Sequence, residues 1–64
     1  MIEIYAVGRY DDDDNFIVDK YFYFKDNASG YAWDTYQFIE KQTVDLWRVN
    51  HLYTMADDPR YTGR

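Results

Sequence analysis

Four consecutive aspartates and an asparagine, Asp11 to Asn15, separate two segments that each alternate with a period of two. No other feature constrains the fold as strongly. Asp and Asn accept turn backbone and bond their own main chain, so these five residues read as a hairpin loop between antiparallel strands. Before the loop, Ile2, Ile4 and Ala6 fall on one face and Glu3, Tyr5, Val7 and Arg9 on the other. Gly8 interrupts that run and marks a bulge or a close backbone approach. After the loop, the strand predicted from Phe16 to Lys25 places Phe16, Val18, Phe22 and Phe24 on one face, interrupted by Lys20. Ile17, Asp19, Tyr21, Tyr23 and Lys25 take the other, as in an antiparallel strand with one solvated side.

A hairpin alone cannot bury its apolar side, so the remaining chain must cover it. Asp26 to Gly30 is a break that also starts a helix, with Asn27 or Ser29 able to cap the first-turn N–H groups. Ala28, Ala32, Tyr36 and Ile39 recur at steps of four and three, which predicts an amphipathic helix over 28–42. Asp34, Gln37, Glu40 and Lys41 form its wet side. From Thr43 to Tyr53, β-branched and aromatic residues favour a third strand. A continued helix there would align only Ile39, Thr43, Leu46 and Asn50, a weaker pattern. The segment from Met55, with Asp57-Asp58-Pro59 and Thr62-Gly63, reads as a turn and tail. The expected fold is α+β in the order β-β-α-β, one helix packed on a three-stranded, mainly antiparallel sheet. Its compact part spans 1–56 and its loose C-terminal tail 57–64.

Size and charge narrow the function. Sixty-four residues hold one domain and no second lobe around a cleft. Without cysteine there is no disulfide scaffold, thiolate nucleophile or Cys-ligated zinc. No uncharged run approaches the ~18 residues of a membrane span. The opening MIEIYAVGR has neither a basic n-region nor a long apolar run, so no signal peptide and a cytoplasmic location are expected. Seven basic against twelve acidic residues give a net charge of −5, and the charge is uneven. Residues 1–40 carry nine acids against three bases, −6, while residues 41–64 carry three against four, +1. Tyr21 and Tyr23 could stack on bases as in single-strand binders, but the strands that bear them are the most negative part of the chain, so direct nucleic-acid binding is not expected.

The catalytic and metal motifs fail on their spacing. An EF-hand loop begun at Asp11 would need Gly at its sixth position and Glu at its twelfth, where Phe16 and Phe22 stand. His51, the single histidine, has Asp45 and Asp57 near it in sequence but nothing that fixes either against its ring. Ser29 sits at a helix start and not on a nucleophile elbow, and Gly8, Gly30 and Gly63 are isolated. No enzyme activity and no cofactor are expected.

Aromatics make up 22 % of the chain; large rings build a small core with few residues, so they are expected to divide between the core and the surface. The sheet face opposite the helix would present Tyr5, Val7, Ile17, Asp19, Tyr21 and Tyr23, with Trp47, next to the acidic tip. The expected protein-binding residues are therefore Tyr5, Asp11, Asp12, Asp13, Asp14, Asp19, Tyr21 and Tyr23, facing a partner with a basic surface. In size and composition the chain is similar to the small, acidic, cysteine-free host-takeover and anti-defence proteins of bacteriophages. That resemblance implies an inhibitor that occludes a nucleic-acid-handling enzyme such as RNA polymerase, a nuclease or a CRISPR effector. The alternative is a structural or regulatory homo-oligomer that pairs through its own tyrosine-rich face.

Overall fold

In a computed structural model, which describes residues 1–57, three strands form one antiparallel sheet. They are β1 (Ile2–Tyr10), β2 (Phe16–Phe22) and β3 (Phe38–Val44), arranged β2-β1-β3. Two helices complete the α+β domain, α1 (Lys25–Thr35) and α2 (Leu46–Leu52). β1 takes the centre because it is apolar on both faces: Ile4, Ala6 and Val7 are all fully buried. Only a strand flanked by ladders and covered on both sides can keep such residues dry.

The two faces carry separate cores. On one, Val7 and Phe22 meet Ala28 and Ala32 of α1, with Tyr5, Tyr31 and Ala56 around them. Small alanines let the helix approach the sheet closely. On the other, Ile4 packs with Val49 of α2 and with Met55, ringed by Ile2, Tyr21, Tyr23, Val44 and Tyr53. Each fully buried aliphatic side chain contributes about 1.5–3 kcal/mol. Two cores this small leave a stability of a few kcal/mol.

The face assignment predicted for β1 holds, and that for β2 changes halfway. Gly8 pairs with Val18 but Val7 pairs with Lys20, so Asp19 is an extra residue in β2. This bulge puts Phe16 and Val18 on the face of Tyr10 and Gly8, and Phe22 on the opposite face with Tyr5 and Val7. Gly8 is required at the bulge: a Cβ there would lie 2.0 Å from the Ile17 carbonyl oxygen.

Downstream, the end of β2, both ends of α1 and the place of the third strand differ from expectation. β2 ends at Phe22, and α1 begins at Lys25 after Phe24 with no side-chain cap from Asn27 or Ser29. Asp57 anchors this junction instead. Its carboxylate accepts from the Tyr23 and Phe24 N–H groups at 2.7 and 2.9 Å and from the Asn27 side-chain amide at 3.1 Å. α1 stops at Thr35, because Tyr36 turns left-handed with φ 56°. The predicted helix over 28–42 is thus cut short, and its last residues pair with the free edge of β1 as β3. The third strand therefore lies at Phe38–Val44 and not at 43–53, where the chain from Leu46 forms α2. Burying Val49 beside Ile4 requires a helix crossing that second face, which a strand on the sheet edge would not provide. After α2, Met55 bridges to Tyr21 in parallel and the Ala56 N–H donates to the Tyr21 carbonyl at 2.8 Å. Of the expected tail, 58–64 lies outside the described residues. Among those described, no helix is long and apolar enough to cross a membrane.

Candidate protein-binding surface

The acidic loop is a three-residue hairpin connection, a type I turn followed by a left-handed residue, Asp14 at φ 63°. The Asp14 N–H donates to the Asp11 carbonyl at 3.1 Å, and the Asp11 N–H to the Asn15 carbonyl at 3.0 Å. Asp11 turns its carboxylate inward, where one oxygen accepts the backbone N–H groups of Asp13 and Asn15 at 2.9 and 2.8 Å. The Asn15 bond, joined by those of Asp13 and the Asn15 side chain, holds the Asp11 carboxyl below its ordinary pKa. Asp12, Asp13 and Asp14 are exposed on the tip. Among the described residues no group of three His, Cys, Asp or Glu side chains is placed to share a metal ion.

The expected tyrosine face does not exist as one surface. Tyr5 lies on the α1 side, beside Val7 and Phe22. Tyr21 and Tyr23 lie on the opposite side, half-buried around Ile4, Val49 and Met55. The Tyr21 ring sits edge-on to Tyr53 with centroids 4.5 Å apart, and burial, with Tyr53 and Glu40 nearby, raises its hydroxyl pKa. Asp19, turned out by the bulge, accepts a short hydrogen bond from the Tyr31 hydroxyl, which raises the Tyr31 pKa. Of the predicted site, only Asp12, Asp13 and Asp14 stand together and free on the surface. Trp47 is exposed on α2, stacked at 4.2 Å on His51.

The exposed aromatic surface lies elsewhere. Where α1 ends, the Gln37 N–H bonds the Ala32 carbonyl at 2.9 Å and the Tyr36 N–H reaches Trp33, a Schellman closure. Glycine ordinarily fills the left-handed position of that motif, and here it is Tyr36, 95 % exposed. Trp33 is 83 % exposed and Phe38 60 %. Tyr36, Trp33 and Phe38, together with Ala32, Gln37 and Ile39, are among the residues that line an apolar cleft of about 380 Å³ between the end of α1 and the start of β3. Phe38 pairs with Gly8, which puts the cleft at the hairpin end of the sheet. Its ring lies 5.5 Å from Tyr10, and Tyr10 lies 5.1 Å from Phe16, so aromatic surface continues from the cleft to the strand ends that carry the acidic loop.

Sequence reasoning put Tyr36 and Ile39 on a buried helix stripe with Phe38 flanking it, and passed over Trp33. One partial signal was available: Trp33 follows Ala32 directly, a helix step of 100° off the Ala28–Ala32 stripe, and so stands on its flank, where Tyr31 on the other side packs against Phe22 and Trp33 stays in water. Nothing local announces the left-handed turn at Tyr36, since neither Gly nor Pro stands there. No family model, curated protein or solved structure matches the chain.

Proposed function

We propose that this chain is a non-enzymatic protein-binding module that seats its aromatic cleft and acidic loop on a basic surface of another protein. The observation that carries the reading is Tyr36. A bulky residue in left-handed backbone costs about 1–2 kcal/mol relative to glycine. Tyr36 recovers none of that by packing, since it is almost wholly in water. Local strain held at an exposed position, in a domain with little stability to lose, points to a use on the surface. Trp and Tyr supply binding hot spots, and Asp12, Asp13 and Asp14 at the same end supply charge steering toward a basic partner. A partner whose basic surface handles nucleic acid would be inhibited by simple occlusion, because carboxylates would stand where phosphates bind.

The sheet face on which self-pairing was to rest is filled internally around Tyr21 and Tyr23. The test is affinity capture with the full chain, followed by association kinetics of the captured protein across salt concentration. Trp33→Ala and Tyr36→Ala should weaken binding at least tenfold, and Asp12, Asp13 and Asp14 together changed to Asn should slow association and flatten its salt dependence. Capture and kinetics unchanged by either set would overturn the reading.

A further inference from the structure

β3 is an edge strand. Its inner side pairs with β1 from Phe38 to Val44, and no strand lies along its outer side among the described residues. The outer side of β2, by contrast, is met at Tyr21 by Met55. Along the seven residues of β3 every second one turns its backbone N–H and C=O outward, where they can template an added strand. The aromatic cleft sits at one end of that edge. Ile39 pairs with Val7, so it points to the α1 side and lines the cleft together with Trp33. Residues paired across strands share a face. A strand laid along β3 would therefore drop the side chain opposite Ile39 into the cleft, and turn its neighbours to the other face, where Glu40 lies opposite Ala6.

A second copy of this chain fits the edge poorly. Two β3 strands paired antiparallel about a two-fold axis must bring a residue opposite itself. Centred on Glu40 the pairing opposes two carboxylates and centred on Lys41 two ammonium groups, both destabilising; at every other centre the two copies, each carrying a net charge of −5, still repel. A foreign segment has no such restriction, and the net charge of −5 favours a basic one.

We infer that the outer edge of β3 takes an extended segment of a partner protein as a fourth strand, one apolar side chain in the Trp33 cleft and a Lys or Arg beside it over Glu40. This rests on the protein-binding reading above and adds the mode of recognition. The experiment selects displayed random heptapeptides against the full chain, then measures synthetic versions of those enriched. The expected consensus is an apolar residue with Lys or Arg on the one side that falls over Glu40. Methylating alternate backbone nitrogens of the peptide should weaken binding tenfold or more in one phase and less than twofold in the other. Amide shifts on titration should centre on residues 33 and 38–44. Absence of any enriched sequence, an acidic consensus, indifference to both methylation phases, or shifts centred on α2 would each overturn the added strand. Self-association of the free chain that Ile39→Lys abolishes would assign the edge to a second copy and overturn it too. Binding that ignores methylation phase but is lost in Trp33→Ala removes only the added strand, whereas captured partners indifferent to Trp33→Ala and Tyr36→Ala remove the protein-binding reading itself.

Discussion

Replacing Tyr36 with glycine should make the domain more stable and a worse binder. Tyr36 occupies φ 56°, the position where the α1 Schellman closure ordinarily takes glycine. Relief of the left-handed Cβ penalty is worth about 1–2 kcal/mol. The greater freedom of glycine in the unfolded chain returns about 0.5–1 kcal/mol of that. At 95 % exposure the ring has almost no packing to lose, so the net gain is about 0.5–1 kcal/mol. For a domain this small, each kcal/mol moves Tm by about 4–8 °C, so Tyr36→Gly should melt about 2–8 °C higher than the parent. Tyr36→Ala removes the same ring but keeps the Cβ, and should show no such gain. Urea and thermal denaturation of the parent and both variants, followed by circular dichroism, isolate the backbone term. A Tyr36→Gly protein no more stable than Tyr36→Ala would refute the strain argument, and with it the reason for regarding this tyrosine as functional. Higher stability joined to weaker capture is the signature of a residue kept for its surface role.

Gly8→Ala places a Cβ 2.0 Å from the Ile17 carbonyl oxygen and 2.9 Å from the Val18 Cα, both backbone, so β1 and β2 must part at the bulge. The expected loss is about 3 kcal/mol, at the top of the overpacking range, with the hairpin amides of residues 8–18 losing exchange protection first. Met55→Ala should cost about 2–5 kcal/mol in urea denaturation, because Met55 is buried against Ile4 and Val49; a midpoint unchanged from the parent would remove residues 53–57 from the fold. Tyr21 and Tyr31 both have raised pKa values, so the stability they lend is complete below pH 10 and is lost as pH rises past 10 through their folded values. Tyr31→Phe should flatten the alkaline limb of a stability–pH profile, and an unaltered limb would show that the bond to Asp19 does not contribute to it.

The legible part of the molecule is the part whose cause is local. Alternation from Ile2 to Arg9, the Asp11–Asn15 turn and the β character of Phe16 to Phe22 follow from pleat periodicity and turn chemistry within a few residues. Gly8 was recognisable as a bulge or close-approach position for the same reason. The bulge's effect was not, since a single extra residue at Asp19 reverses the facing of everything after it. That reversal separated Tyr5 from Tyr21 and dissolved the predicted tyrosine face. The acidic tip survived as an exposed feature because a turn of aspartates has nowhere else to point. The aromatic cleft was illegible because it depends on where α1 ends, and Tyr36 gives no sign of ending it.

Composition and pattern, then, determined a small acidic α+β domain with a charged hairpin tip, no disulfide framework and no motif for familiar catalysis. Tertiary structure decided which segment became the third strand and which the second helix. β1 is apolar on both faces, so it needed a ladder on its free edge and a cover on each side. Phe38–Val44 met the first need, and Val49 with Met55 met the cover on the face away from α1. These are demands of one strand upon residues some thirty to fifty positions away, and no local window of sequence contains them. Once they were met, Tyr5, Tyr21 and Tyr23 were drawn against the two cores, and Trp33, Tyr36 and Phe38 were left at the surface beside the acids.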